Sequence, residues 1–277
     1  MLSIVSRGDS SVLQPAAGPD APAEATTRRR IVDWFEFAVE NPADDLLYYI
    51  SMPRALPVTS RTRLRRLPAR GVFDRAAIDA ILDEGIVCHL GFIHKGQPVV
   101  IPTLYARVGD VIYVHGSAAS RMLHSVSGGC EICLTVTILD GLVLARSAFH
   151  HSANYRSVVV FGRALRVSDR TGKLTALQAF SEHVVSGRWA EVRPPSVREL
   201  KATTVLALPL TEASAKVRSG PPKDEEEDYS RDVWAGVIPL RLAAGEPETD
   251  PRVPSGVAIP NYARFYRRSR KERESTP

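Results

Sequence analysis

The sequence predicts a mainly β fold of the α+β class, a closed or partly open β-barrel with peripheral helices. Short apolar, β-branched runs follow one another, glycine-containing connectors separate several of them, and helical patterns are inserted singly rather than after every strand. Neither Gly-x-Gly-x-x-Gly after a strand nor Gly-x-x-x-x-Gly-Lys-Ser/Thr is present. The sequence therefore excludes a Rossmann or P-loop nucleotide site.

The regular pattern begins at Asp74, a suitable N-cap for a helix that carries Ile78, Ile81 and Leu82 on one face and ends at Gly85. Glycines in the connectors 95–97 and 109–110 indicate hairpin turns. We expect strands over 86–93, 98–108, 111–116, 131–139, 142–149, 157–167, 205–210 and 233–242. We expect helices over 120–126, over 171–186 and from a capping box at 196–199.

Composition narrows the class of protein. The 277 residues are 44% hydrophobic and 24% charged, and 36 basic against 31 acidic residues leave a formal net charge of +5. No apolar stretch approaches the ~20 residues of a membrane span, and the first residues are too polar for a signal sequence. Cys88, Cys130 and Cys133 are too few for a disulfide framework and are spaced poorly for zinc, so we expect core residues of a reduced, cytoplasmic protein.

The chain divides into four parts by composition. Residues 1–30 are rich in Pro, Ala, Ser and Thr and are expected to be disordered. Residues 31–65 read as short amphipathic helices followed by a basic arm. The barrel domain is expected over 66–243, and residues 244–277 form a basic tail.

The segment 112–126 is the first place where chemistry is indicated. A strand ends at His115 and Gly116, and a helix begins near Ser120. Unpaired N–H groups at a helix start attract anions, and the Ser120 hydroxyl with the Arg121 guanidinium would complete a phosphate site. In the alternative interpretation, Ser117 or Ser120 only caps the helix and Arg121 points into water.

The segment 148–164 is the second. Arg156 and Ser157 enter an apolar strand, where a charged side chain needs a partner. His150, His151 and Tyr155 add hydrogen-bond donors close by, although paired histidines in a loop are more often surface residues than ligands.

A third feature is Trp234, within an apolar run late in the chain. A tryptophan in a strand is usually a core residue. It could equally form the wall of a pocket for a flat aromatic ligand.

In this order, the segments resemble the pyridoxamine 5′-phosphate oxidase-like superfamily of FMN-binding split barrels, and most of all its flavin-nucleotide-binding or nitroimidazole-resistance-like branch. The resemblance runs from about residue 66 to about residue 239. It rests on RLPARGVFD, PVVIPTLYARVGDVIYVHGSAASR, DGLVLARSAFHHSANYRSVVVFG, EASAKVRSGPP and VWAGVIP. Each motif is weak alone, and the ordered set is specific.

The resemblance implies a homodimer with FMN at the subunit interface. It implies that one strand lies along the flavin edge through Val99, Val100, Ile101 and Thr103, and that another strand ends against the cofactor at His115 and Gly116. It implies that a helix start holds the phosphate with Ser120 and Arg121. It also implies that a further strand reaches the flavin or its phosphate with Arg156 and Ser157, and that the ring of Trp234 closes the site.

The resemblance further implies a flavin-dependent oxidoreductase that acts on a small molecule, with NAD(P)H as the electron donor. True pyridoxamine phosphate oxidases carry S-R-P-x-x-S-Q for the substrate phosphate, whereas this chain has Ser186-Gly187-Arg188-Trp189. We therefore expect a different substrate. His151 and Tyr155 are candidate proton donors, and no metal is expected.

Two other functions stay open. A protein of this fold could bind flavin or haem without catalysis, for storage or sensing. A nucleic-acid binder would use Arg28–Arg30 and the basic residues 264–273, and its binding would weaken steeply with salt. We expect neither nucleic acid nor membrane as a partner.

Overall fold

The computed structural model of the chain describes residues 54–268. The disorder predicted over 1–30, the amphipathic helices predicted between 31 and 49, and the end of the basic tail lie outside this range.

Within the described range, two sheets carry most of the fold and every strand pairing is antiparallel. The strands are β1 Gly71–Val72, β2 Val87–His94, β3 Gln97–Leu104, β4 Ala106–Val108, β5 Val111–Ser117, β6 Glu131–Leu144, β7 Ser152–Arg163, β8 Leu165–Val167, β9 Thr203–Pro209, β10 Ala213–Arg218 and β11 Gly236–Pro239. The helices are α1 Arg75–Glu84, α2 Arg121–Ser127, α3 Arg170–Val184, α4 Val197–Ala202 and α5 Asn261–Arg264. The predicted α+β class is confirmed.

The sheets share one hydrophobic core. The seven-stranded sheet has the order β1-β10-β7-β6-β2-β3, with β11 joined to β6, and the four-stranded sheet has the order β4-β5-β9-β8. The chain passes between them at Tyr105 and again at Ala164, both of them buried. The core they enclose is lined by side chains such as Leu90, Leu134 and Leu206.

The helix predicted at Asp74 is confirmed. The Asp74 carboxylate accepts a hydrogen bond of 2.9 Å from the backbone N–H three residues on, as an N-cap does. Ile78, Ile81 and Leu82 are all buried in the core. At about 1.5–3 kcal/mol for each fully buried aliphatic side chain, this face attaches α1 to the barrel.

The glycine connectors also form the predicted turns. Lys95 and Gly96, between β2 and β3, have φ of 50° and 77°. Two consecutive residues with positive φ are typical of a type I′ hairpin turn. Gly109, between β4 and β5, has φ of 53°.

Two predicted strands are divided in the structure. The run 98–108 ends one strand at Leu104 and begins another at Ala106, because Tyr105 turns inward and its hydroxyl donates a 2.5 Å hydrogen bond to the Leu82 carbonyl. The run 157–167 is likewise divided at Ala164 and begins earlier, at Ser152. A chain that passes from one sheet to the next keeps its apolar character, so the apolar pattern cannot locate the corner.

The opposite error occurs in β6. The strands predicted over 131–139 and 142–149 form one strand that ends at Leu144, with a bulge between Leu139 and Gly141, and residues Ala148–His150 form a 3₁₀ turn. In the sequence, Gly141 indicates a break between two strands. In the structure it stays paired within the sheet as part of the bulge.

The sequence analysis missed β10 and overestimated the last strand. Ala213–Arg218 contains small and charged residues, so it lacks the β-branched composition of a strand, yet it pairs with β7 over its whole length. Of the run 233–242, only Gly236–Pro239 is a strand. Strand β9 begins at Thr203, two residues before its predicted start.

Candidate functional site

The two faces of the seven-stranded sheet differ in chemistry. Side chains of alternate residues fill the core, and those between them form what we call the outer face. Pairing register aligns the outer face in rows that cross the strands. One row runs Lys216, Ser157, Thr137, and the next runs Ser214, Val159, Thr135, His89, Pro102.

The outer face combines neutral polar groups with exposed apolar groups. The hydroxyl oxygens of Thr137 and Ser157 lie 3.0 Å apart, and the Ser157 hydroxyl also donates to the Val136 carbonyl at 3.1 Å. Large apolar side chains on this face are between 41% and 64% exposed, namely Val87, Ile93, Val100, Leu104 and Leu139. Such exposure on one face of a sheet is typical of a surface that binds a partner or a ligand.

Strand β3 lies at the edge of the sheet. It pairs with β2 on one side, and no strand in the described range pairs with its other side. Val99 and Ile101 pack against the core, whereas Val100 points to the outer face. The predicted contact of Val99, Ile101 and Thr103 with a cofactor would therefore run through the free backbone groups of an edge strand, as the resemblance implies.

The turn between β5 and α2 has the predicted strand-to-helix form. The Ser120 hydroxyl accepts a hydrogen bond of 3.5 Å from the Leu123 N–H and so caps α2. A Cβ on Gly116 would lie 3.1 Å from Leu123 Cδ1, so the glycine allows α2 to pack closely on β5. Capping by Ser120 is what the alternative interpretation of the sequence expects, and a phosphate at Ser120 and Arg121 stays a prediction.

His115 is held between β5 and α3. Its ring packs edge-on against Phe180, with centroids 4.1 Å apart, and its Nδ1 is buried with no hydrogen-bond partner among residues 54–268. Burial lowers the pKa of His115, so the imidazole is neutral at neutral pH. A buried, unpaired ring nitrogen is a rare feature, and it marks this end of β5 as a place where a ligand atom or a water could bind.

Arg156 and Ser157 point to opposite faces of β7. The Arg156 guanidinium donates to both oxygens of Glu84, at 2.5 and 2.8 Å, and to both oxygens of Asp140, at 2.7 and 2.8 Å. The hydrogen bonds that it donates, first to Glu84 and then to Asp140, raise the pKa of Arg156. These carboxylates are the partners that a charge at the head of a strand requires. Ser157 reaches the outer face, and a contact of Arg156 with a cofactor stays a prediction.

The two candidate proton donors lie apart in the secondary structure. His151 precedes β7 and is exposed, and its Nδ1 accepts a 2.9 Å hydrogen bond from the Ala145 N–H. In neutral His151 the proton therefore resides on Nε2. Tyr155 lies on the outer face of β7, opposite Leu139 and Arg218.

Trp234 stands beside β11 and is 64% exposed, which rules out the core interpretation. Its ring packs against Gly236, where a Cβ would lie 2.7 Å from the indole. The acidic loop that precedes it is fixed by Asp224, which accepts hydrogen bonds from the Arg146 N–H at 2.8 Å and from its guanidinium at 3.1 Å. An exposed indole on an anchored loop is available to a flat ligand.

The outer face adds residues that the sequence analysis did not propose. His89 is exposed there, Thr135 and Thr137 are on β6, and Lys216 and Arg218 are on β10. The signal was the alternation of Lys216 and Arg218 in EASAKVRSGPP, which places both on one face once the segment is recognised as a strand.

Two general findings complete the site. Across residues 54–268, no group of three or more His, Cys, Asp and Glu side chains is arranged to hold a metal ion. None of the helices in that range has the length and apolarity needed to span a membrane. Cys88 is buried as predicted, and Cys130, though half-buried, packs against the core. The prediction is wrong for Cys133, which alternates with the buried Ile132 and Leu134 and therefore lies on the outer face.

Comparison with known proteins identifies the family. Residues 74–217 match the family described as "Pyridoxamine 5′-phosphate oxidase". This chain belongs to that family. The resemblance found in the sequence is confirmed, and the fold is the split barrel of the family. A search of curated proteins gives no match.

Two solved structures are similar to this chain over most of its length. The flavocytochrome Anf3 from Azotobacter vinelandii is 42% identical, with 76% of this chain and 97% of that one covered and a TM-score of 0.72. The FAD and heme binding protein from Mycobacterium smegmatis is 36% identical, with 71% and 96% covered and a TM-score of 0.68.

Proposed function

We propose that this chain binds a flavin nucleotide and acts as a flavin-dependent oxidoreductase on a small molecule, with NAD(P)H as the electron donor. The observation that carries the proposal is its likeness to a flavocytochrome and to an FAD and heme binding protein over nearly their whole lengths. Identity of 36% to 42% over such a span also favours a haem group beside the flavin.

The outer face fits such a cofactor. An isoalloxazine is flat and mostly uncharged and needs hydrogen bonds at its polar edge, and the face offers Val100 and other apolar groups with the hydroxyls of Thr137 and Ser157. The free edge of β3 supplies backbone groups. A bound flavin would supply the hydride or electron transfer, while the protein orients it and excludes competing reactions.

The motifs indicate FMN, and the name of the Mycobacterium relative supports FAD as the rival. The protein as purified should show flavin absorbance near ~450 nm, and mass analysis of the released cofactor decides between the two. A colourless protein that gains no flavin band when given FMN or FAD contradicts the proposal.

Arg121→Ala tests the phosphate site. We expect it to weaken flavin binding by about 1.5–3 kcal/mol, the scale of a hydrogen bond to a charged group. Arg166, exposed on β8, provides the control. Equal flavin retention by Arg121→Ala and the parent would refute the phosphate assignment.

We propose further that two copies pair through the outer face, in the cytoplasm. The exposed apolar groups on that face support this, because a second copy would remove them from water. Light scattering of the purified chain should give twice the mass of one chain, and a monomer at micromolar concentration contradicts the pairing.

The second candidate is a flavin or haem carrier without turnover. It is supported by the names of the two relatives, which state what those proteins contain or bind rather than a reaction they catalyse. Consumption of NAD(P)H with a nitro or quinone acceptor favours the enzyme. Tight cofactor retention with no turnover favours the carrier.

A further inference from the structure

Arg218 is a buried cation without an acidic partner. Its side chain is 9% exposed and donates to the Asn154 side-chain oxygen and, at 3.3 Å each, to the carbonyls of Gly220 and Pro221. No carboxylate of the described residues forms an ion pair with it. Burial lowers the pKa of Arg218, and repulsion from Arg70 lowers it further.

Lys216 and Arg70 bring two more positive charges to the same edge of the sheet. Lys216 lies two residues before Arg218 on β10, so both side chains stand on the outer face, about 7 Å apart along the strand. Gly71 pairs with Lys216, which places its neighbour Arg70 beside β10. Both side chains are half-buried, and neither has an ion pair within residues 54–268.

Three cations held together without a counter-charge destabilise the folded chain. Removing a charge from water is costly unless it is paired, and like charges add to that cost. Two other arginines of this sheet do have acidic partners. Arg156 pairs with two carboxylates, and Arg163 pairs with Glu131 at 2.9 Å. Uncompensated charge of this kind is typical of a binding site for an anion.

Two hydroxyl groups lie next to these cations on the outer face. Ser157 pairs in register with Lys216, and Tyr155 pairs with Arg218. Because the Ser157 hydroxyl already donates to the Val136 carbonyl, an oxyanion at this edge would meet three positive charges and the Tyr155 hydroxyl.

The β10 cluster is distant from the end of α2. Ser125, near that end, contacts His94 at the end of β2, with 2.7 Å between the hydroxyl and Nδ1. Three strand spacings of ~4.8 Å, or about 14 Å, separate β2 from β10.

We propose that Arg70, Lys216 and Arg218 bind an acid group of the cofactor, distinct from the one expected at Ser120 and Arg121. This inference rests on the proposed function. Two sources share the chemistry of a bound oxyanion: a phosphate of the flavin nucleotide and a propionate of haem.

The test measures binding of four ligands to the full-length protein: FAD, riboflavin, haem and haem dimethyl ester. The main variants are Lys216→Gln and Arg70→Gln, because neither side chain forms an ion pair within residues 54–268. Arg218→Lys keeps the charge but loses the fork geometry. The control is Arg166→Gln, which removes one exposed positive charge from the four-stranded sheet.

If the acid group is a phosphate, Lys216→Gln and Arg70→Gln weaken FAD binding about tenfold or more, while riboflavin binds as to the parent. If the acid group is a propionate, the two variants weaken haem binding about tenfold or more, and haem dimethyl ester binds the variants as tightly as the parent. The proposal is overturned when every ligand binds the variants within about twofold of the parent and of Arg166→Gln.

A parent protein that binds neither flavin nor haem contradicts the proposed function but leaves the anion site testable. Sodium pyrophosphate should then raise the thermal midpoint of the parent and not that of Lys216→Gln. An unchanged midpoint of the parent overturns the anion site as well.

Discussion

Arg156→Met should strongly destabilise the barrel, and retention of the cofactor by this variant would contradict the flavin contact that the resemblance implies for Arg156. The guanidinium is 13% exposed and makes four hydrogen bonds to two carboxylates, Glu84 at 17% and Asp140 at 19% exposure. Its removal leaves two poorly solvated carboxylates without a cation. Because Arg156 lies on the face of β7 opposite to Ser157, the outer face should be unchanged.

The magnitude follows from the partial burial. A single hydrogen bond to a charged group is worth about 1.5–3 kcal/mol, but four bonds from one guanidinium do not add. Breaking a fully buried ion pair costs about 3–5 kcal/mol, and partial exposure places this site near the lower end, about 3 kcal/mol. For a chain of this size that corresponds to a fall in Tm of about 6–12 °C.

Urea unfolding and thermal scans measure the change, with Arg231→Met as the matched control. Arg231 is 65% exposed in its pair with Asp228, so its loss should change stability by less than about 1 kcal/mol. Adding Glu84→Gln to Arg156→Met should recover part of the loss, because one unpaired carboxylate is removed. A loss below 1 kcal/mol for Arg156→Met, or a loss of flavin from protein that is still folded, would refute this structural role.

Three further perturbations test other parts of the molecule. Val100→Lys places a charge on the outer face and should convert a dimer to a monomer with little effect on the core, and a dimer that persists in light scattering contradicts the pairing. Burial lowers the pKa of both His115 and His183. The unfolded chain therefore takes up protons first, so urea stability should be flat above pH ~7 and fall below ~6.5 by up to about 1.4 kcal/mol per pH unit for each histidine. A free energy of unfolding that rises as the pH falls would contradict the lowered pKa values of these two histidines. The Arg268 guanidinium donates to backbone carbonyls where α1 and α3 end, so Arg268→Ala should speed proteolysis of residues 241–268 while Arg267→Ala does not.

Local chemistry made several elements predictable from the sequence. Asp74 is followed by a helical apolar face, and the Ser196–Glu199 capping box forms both of its reciprocal hydrogen bonds. Lys95 and Gly96 form the expected turn. In each case the decisive interaction joins residues within four positions of one another, so the sequence contains it directly.

The missing information concerned contacts that are distant in sequence. The turn at Tyr105 depends on a hydrogen bond to Leu82, and the role of Arg156 depends on Glu84, 72 residues away. The alternation rule could have shown that Arg156 and Ser157 face opposite sides, but it could not show what each side meets. Arg218 was missed for a further reason, because its strand is recognised only by its pairing with β7.

The outer face is proposed both to bind the cofactor and to pair with a second copy of the chain. A cofactor bound between two copies on this face is thermodynamically linked to their pairing, and the coupling is equal in both directions. Flavin at such an interface should therefore strengthen pairing as much as pairing strengthens flavin binding. Flavin at a hundredfold excess over its Kd should stabilise the dimer by about 2.7 kcal/mol for each flavin that binds the dimer and not the monomer, and the Tm of the flavin-loaded protein should rise with protein concentration. Val100→Lys should then lose flavin although it removes no hydrogen bond to it. Arg156→Met should instead lose stability at every protein concentration and keep its flavin, because the inner face does not take part in either equilibrium.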